Sequence, residues 1–125
     1  MPRRSLDFVE VKFLDNSATV AKLKKMAEEV IVADGNVNAV FLFGSLSEGT
    51  ATPESDADIM IMVREAEGRF IDRGDDYRKY FDSADLEISI QIFVYTEEEI
   101  ERMLRSGNDF IKTVVDSRLI LSERK

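Results

Sequence analysis

Between Val40 and Val63 the chain reads VFLFGSLSEGTATPESDADIMIMV, two short apolar runs separated by a loop of small residues. Both runs are too short for helices, rich in β-branched and aromatic residues, and bounded by turn formers. They therefore predict strands at about Val37–Phe43 and Ala57–Val63. Along a strand, residues two apart share a face at a spacing of about 6.6 Å, so Asp56 and Asp58 stand together at the start of the second run. Gly44-Ser45 closes the first. A chain built around this stretch must form a sheet that carries paired carboxylates near a glycine turn.

Two such carboxylates suit the task of holding Mg2+ or Mn2+ against the phosphates of a nucleotide. Magnesium takes a few hard oxygen ligands and completes its shell with water and phosphate, so Asp56 and Asp58 suffice to start a site. Gly44 lets the backbone come close to a phosphate, and the Ser45 hydroxyl and following amides have protons to donate to its oxygens. A lookalike is excluded by its chemistry. Gly44 and Gly49 are spaced as in a phosphate-binding P-loop, but Thr50-Ala51 follows where that motif requires Lys and then Ser or Thr.

The order FLFGS, LSEGTATPES, DADIMIMV resembles the signature of the DNA polymerase β nucleotidyltransferase superfamily, and in particular of its small stand-alone members, the minimal nucleotidyltransferases. That signature is an apolar strand, Gly-Ser, a spacer of about ten residues, and Asp-x-Asp on the next strand. The C-terminal run YTEEEIERMLRSGNDFIKTVVDSRLIL is similar to the end of such proteins, so the likeness spans roughly Asn36 to Leu121. It implies an α+β fold with a mixed sheet and helices packed mainly on one face. It also implies catalytic and metal-binding roles for Asp56 and Asp58, and nucleotide binding at Gly44 and Ser45. Taken singly, an Asp-x-Asp or a Gly-Ser is more often an ordinary turn.

The resemblance also implies a third carboxylate on a later strand. Aligning IFVYTEEE with that strand puts Gln91 at the position, and a glutamine brings neither charge nor a proton acceptor of carboxylate strength. Glu87 lies on the same strand face as Gln91, but four residues along a strand is about 13 Å. Leu46 and Glu48 stand where similar proteins often carry arginines.

Composition narrows the chemistry further. The 125 residues suffice for one hydrophobic core, so a single nucleotidyltransferase-like domain is expected over 1–125, with its motif core at about 37–95 and C-terminal helices at about 97–117. With no cysteine and no histidine, disulfides, thiol nucleophiles, histidine bases and the usual zinc ligands are all excluded. A net charge of −8 opposes nonspecific nucleic-acid binding. No stretch approaches membrane-spanning length, and a cytoplasmic protein is expected.

The remaining elements follow from periodicity. Leu6 to Leu14 reads as an edge strand or extended arm. From Ala18 to Ala33 the residues Val20, Leu23, Ala27, Val30 and Ile31 recur at helical spacing, and Asp34-Gly35 ends that helix. A short helix is expected at about Asp75 to Phe81, and a strand from Leu86 to Tyr95. Thr96-Glu97-Glu98-Glu99 is a capping box, Asn108 caps a further helix, and Arg118 to Leu121 suggests a last strand.

Two classes of function fit this reading. One is a Mg-dependent nucleotidyltransferase that moves a nucleoside monophosphate from an NTP, expected to be ATP, to a hydroxyl acceptor on a partner protein. The other is a catalytically weak or inactive binding module of the same fold, such as the antitoxin or regulatory subunit of a HEPN-type helical toxin. A short chain has little room for its own acceptor-binding surface, so a partner or a second copy in a homo-oligomer is expected to supply it.

Overall fold

The computed structural model describes residues 16–44, 56–66, 73–81 and 89–124. Helix α1 (Asn16–Ala33) comes first. Leu23, Ala27, Val30 and Ile31 are buried, while Lys22, Lys24, Lys25, Glu28 and Glu29 face solvent. At its end the Asp34 carboxylate accepts from the Asn36 amide at 2.9 Å, the local side-chain turn that favours Asp before Gly. Strand β1 (Val37–Phe43) follows directly.

Strands β2 (Ala57–Val63), β3 (Ile90–Thr96) and β4 (Leu119–Glu123) complete a sheet of order β3-β2-β1-β4. β1 pairs antiparallel with both β2 and β4, and β2 pairs parallel with β3. The expected α+β mixed sheet is therefore present. The helices divide between its two faces rather than packing mainly on one. The cause is legible in β1, where Val40 and Leu42 feed one core and Ala39, Phe41 and Phe43 the other. An inner strand apolar on both sides must be covered on both.

On the first face lie α1 and a 3₁₀ helix (Gly74–Tyr80) that stands where a short helix was expected. The hydroxyl of the buried Tyr77 donates to Asp34 at 3.1 Å. Burial and the nearby Asp34 charge push that phenol up to about 12, so it remains a donor throughout the physiological range. On the second face lie α2 (Glu97–Arg105) and α3 (Asp109–Ser117), which dock through Ile100, Ile111 and Val114. Full burial of an aliphatic side chain of this size contributes about 1.5–3 kcal/mol, so Ile111 and Val114 are the main anchors of α3.

The helix starts form as their sequences require. Thr96 accepts from the Glu99 amide at 3.1 Å, and the Glu99 carboxylate accepts from the Thr96 amide at 2.8 Å, a complete capping box. Arg73 reaches the same carboxylate at 2.8 Å and joins the 3₁₀ helix to α2. Burial alone would raise the Glu99 carboxyl, but Arg73 and the Thr96 amide together hold it below its ordinary range. Asn108 caps α3 by accepting from the Ile111 amide at 3.0 Å. After β4, Arg124 donates to the carbonyls of Ile31 and Asp34 at 2.6 and 3.1 Å, placing a cation at the carbonyl end of α1.

Candidate functional site

The strand directions bring the C-terminal end of β1 and the N-terminal ends of β2 and β3 to one edge of the sheet. Phe43 lies across the ladder from Asp58, and Asp58 lies across from Gln91. Asp58, Met60 and Met62 share the face covered by α2 and α3, with Met60 buried and Met62 partly so, both as core filling.

Gly44 turns the chain with φ of +79°, a conformation that L side chains rarely adopt. A Cβ at this position would lie 2.5 Å from Asp58 Oδ2. The carboxylate thus occupies the space that any larger residue would claim, and the glycine is what lets it approach the turn. Gln91 Nε2 donates to Asp56 Oδ2 at 3.0 Å, which ties the neighbouring carboxylate to β3.

Burial first, and the charge of Asp56 second, push the Asp58 carboxyl above its ordinary value. Among the described residues neither aspartate forms an ion pair with a lysine or arginine. Two like charges held together in a partly desolvated place are unfavourable until a cation joins them. This donor set fits a divalent ion: two carboxylates and the Gln91 amide oxygen, with shell positions left for water and phosphate. It does not form a closed protein cage, because among the described residues no three His, Cys, Asp or Glu side chains converge.

Four residues singled out from the sequence thus meet at this edge: Gly44, Asp56, Asp58 and Gln91. Ser45 and Glu87 lie outside the described residues, as do the arm at 6–14 and the first part of the third strand. Gln91 stands beside Asp58 on the next strand, with its amide nitrogen turned to Asp56. One neighbour was missed. Phe110 of α3 lies against Phe43 and Phe93 at the margin of the site, and the position of Phe93 two residues after Gln91 was the available signal for an aromatic wall on this face.

A cavity of about 460 Å³ lies toward the other end of β2, near Val63 and Val94, and is lined in part by Asp34, Asn36, Arg73 and Tyr77. Its polar groups already serve the fold. Tyr77 holds Asp34, Arg73 holds Glu99, and Asn36 Nδ2 donates to the Glu65 carbonyl at 2.7 Å. Size alone does not make it the reactive site, and the two aspartates that have no cationic partner among the described residues are elsewhere.

The family model for the nucleotidyltransferase domain matches residues 23–121. No curated protein matches the chain by sequence. Among solved structures, a Sulfolobus solfataricus protein classed as a nucleotidyltransferase aligns with a TM-score of 0.61 at 20% identity, covering 87% of this chain and 84% of its own. A toxin–antitoxin complex with AMP-PNP aligns at 0.56 and 21% identity, covering 90% and 76%. A complex of a tri-AMPylated Shewanella oneidensis HEPN toxin with an MNT antitoxin aligns at 0.51 and 18% identity, covering 87% and 73%. At these identities the likeness establishes the shared fold.

Proposed function

The chain belongs to the nucleotidyltransferase domain family, and from that premise we propose that it transfers a nucleoside monophosphate from an NTP, with ATP as the donor, to a hydroxyl on a helical partner protein. The observation that carries this reading is Asp58 held against Gly44 with the Asp56 charge beside it, two carboxylates without a protein cation among the described residues. In the reaction an acceptor oxygen forms a bond to the α-phosphorus, the bond to the β-phosphate bridging oxygen breaks, pyrophosphate leaves, and the acceptor proton passes to solvent. Support for the partner comes from the structural neighbours, which include complexes with AMP-PNP and with an AMPylated HEPN toxin.

Each residue has a physical task in this scheme. Gly44 admits the phosphate chain close to backbone. Asp58, held over that turn, and Asp56, one pleat away, would supply the anionic oxygens for Mg2+ or Mn2+. When bound, such an ion offsets phosphate charge and lowers the pKa of an acceptor hydroxyl. Gln91 fixes the orientation of Asp56 through its amide. No helix among the described residues is long and apolar enough to cross a membrane.

Gln91 also favours a second reading, that of a binding module which retains nucleotide but transfers slowly. With an amide in place of a carboxylate, the acceptor side of the site has one anionic ligand fewer. Restoring it by Gln91→Asp is expected to raise transfer by on the order of tenfold while nucleotide affinity changes little. The check is incorporation of labelled AMP from ATP into a helical partner in the presence of magnesium. Should wild type and Gln91→Asp both be inert while both bind ATP, the enzyme reading gives way to the binding module.

A further inference from the structure

The carboxylate edge has an aromatic flank that neither reading of the site uses. Phe43 ends β1 opposite Asp58, and Phe93 lies two residues beyond Gln91 on the same face of β3. Phe110, in the first turn of α3, completes a cluster of three rings. Centroids are 5.6 Å apart for Phe43 and Phe93, 5.9 Å for Phe43 and Phe110, and 5.8 Å for Phe93 and Phe110. The interplanar angles of 53°, 81° and 53° mean that none of the three is a face-to-face stack.

Packing against Phe43 and Phe93 leaves part of Phe110 open to solvent. Phe43 is 7% exposed, whereas Phe110 is 40% exposed. Helix α3 is already anchored by Ile111 and Val114, at 0% and 1% exposure, so its docking does not need a large ring one residue earlier. Phe110 lies one ring spacing from Phe43, the residue that faces Asp58 across the ladder, and one from Phe93, which follows Gln91 on the same face of β3.

We propose that Phe110, backed by Phe43 and Phe93, is the stacking platform for the base of the nucleotide whose phosphates are held at Gly44, Asp56 and Asp58. The inference rests on the nucleotidyltransferase reading and adds to it a residue that holds the base. A nucleoside triphosphate is polyanionic at one end and flat and apolar at the other, and this edge offers carboxylates for a cation at one point and a solvent-open aromatic ring beside it. Stacking on a phenyl ring uses the π-face that every base has, so it favours tight binding of nucleotides over free polyphosphate without selecting strongly among bases.

The test is calorimetric titration of the full chain with Mg-ATP and, separately, with magnesium tripolyphosphate, which carries the phosphates but no base. Phe110→Ala is expected to weaken ATP by about five- to a hundredfold and to leave tripolyphosphate affinity unchanged, and Phe110→Trp is expected to restore ATP binding. An equal loss for both ligands would mean a structural defect and would overturn the proposal. So would unchanged ATP affinity with lost transfer to a partner, since the ring would then serve the acceptor. If wild type binds ATP and Phe110→Ala binds it equally well, the platform alone fails. If wild type binds neither ligand, the nucleotidyltransferase reading fails with it.

Discussion

Asp58→Asn is expected to raise the melting temperature of the metal-free protein at neutral pH and to remove the further rise that Mg-ATP gives the wild type. The first effect follows from the raised Asp58 carboxyl: burial and the Asp56 charge disfavour the ionised form in the folded state. A carboxyl whose folded value lies above its unfolded value binds more protons when folded. Stability is therefore lost as pH rises from the ordinary carboxylate range through the raised folded value, and the penalty is full once pH stands above that value. Asparagine keeps the shape and omits the charge, so its advantage should vanish at acid pH, where Asp58 is protonated in both states. The second effect follows from mass action. A ligand at a hundred times its dissociation constant stabilises the folded state by about 2.7 kcal/mol, and a neutral amide forfeits most of that by weakening the metal site. Thermal melts in EDTA and in Mg-ATP, each across pH, separate the two effects. A variant stabilised by Mg-ATP as much as wild type would remove Asp58 from the site.

Gly44→Ala should have the largest structural effect of any methyl-sized change at this edge. The positive φ costs a non-glycine residue about 1–2 kcal/mol by itself. The added Cβ would also lie 2.5 Å from Asp58 Oδ2, well inside contact distance, so the carboxylate must move away from the turn. The expected outcome is a lowered melting temperature together with loss of nucleotide binding, both visible in the same thermal titration. Combining Gly44→Ala with Asp58→Ala separates the causes. The double variant regains the part of the stability lost to the clash, keeps the φ penalty, and still binds no nucleotide. A fully additive pair would mean that the two residues are not in contact, because coupling energy arises between groups that share space.

The two inner strands were legible because their apolar runs are sharply bounded, by Asp34-Gly35 and Gly44 for β1 and by Asp56 and Arg64 for β2. Helix starts were legible for a similar reason: Thr96 to Glu99 and Asn108 satisfy backbone amides through their own side chains, a signal contained in a few neighbouring residues. What depended on tertiary contacts was not legible. β1 is apolar on both sides, so no pattern within it says which helices cover which face. The short helix after Arg73 is 3₁₀ rather than α, fixed by Tyr77 reaching Asp34 across 43 positions. Arg124 finds the end of α1 only because β4 lies beside β1.

The site divides in the same way. Asp56 and Asp58 were found together because strand geometry alone puts residues two apart on one face, whereas the approach of Asp58 to Gly44 depends on the antiparallel register of β1 and β2. That Gln91 donates to Asp56 requires the parallel register of β2 and β3, which no local pattern reveals. Phe110 reads in sequence as one more apolar residue of an amphipathic helix, and its partly exposed place against Phe43 and Phe93 emerges only when α3 is placed on the sheet.

The most direct measurement is a crystal structure of the full chain with Mn2+ and a non-hydrolysable ATP analogue, with the metal located by its anomalous signal. The expected result is a manganese peak bonded to Asp56 and Asp58, with the analogue's phosphates against Gly44. A peak in the cavity beside Asp34, Arg73 and Tyr77, or phosphates far from Gly44 with Asp56 and Asp58 left bare, would contradict it.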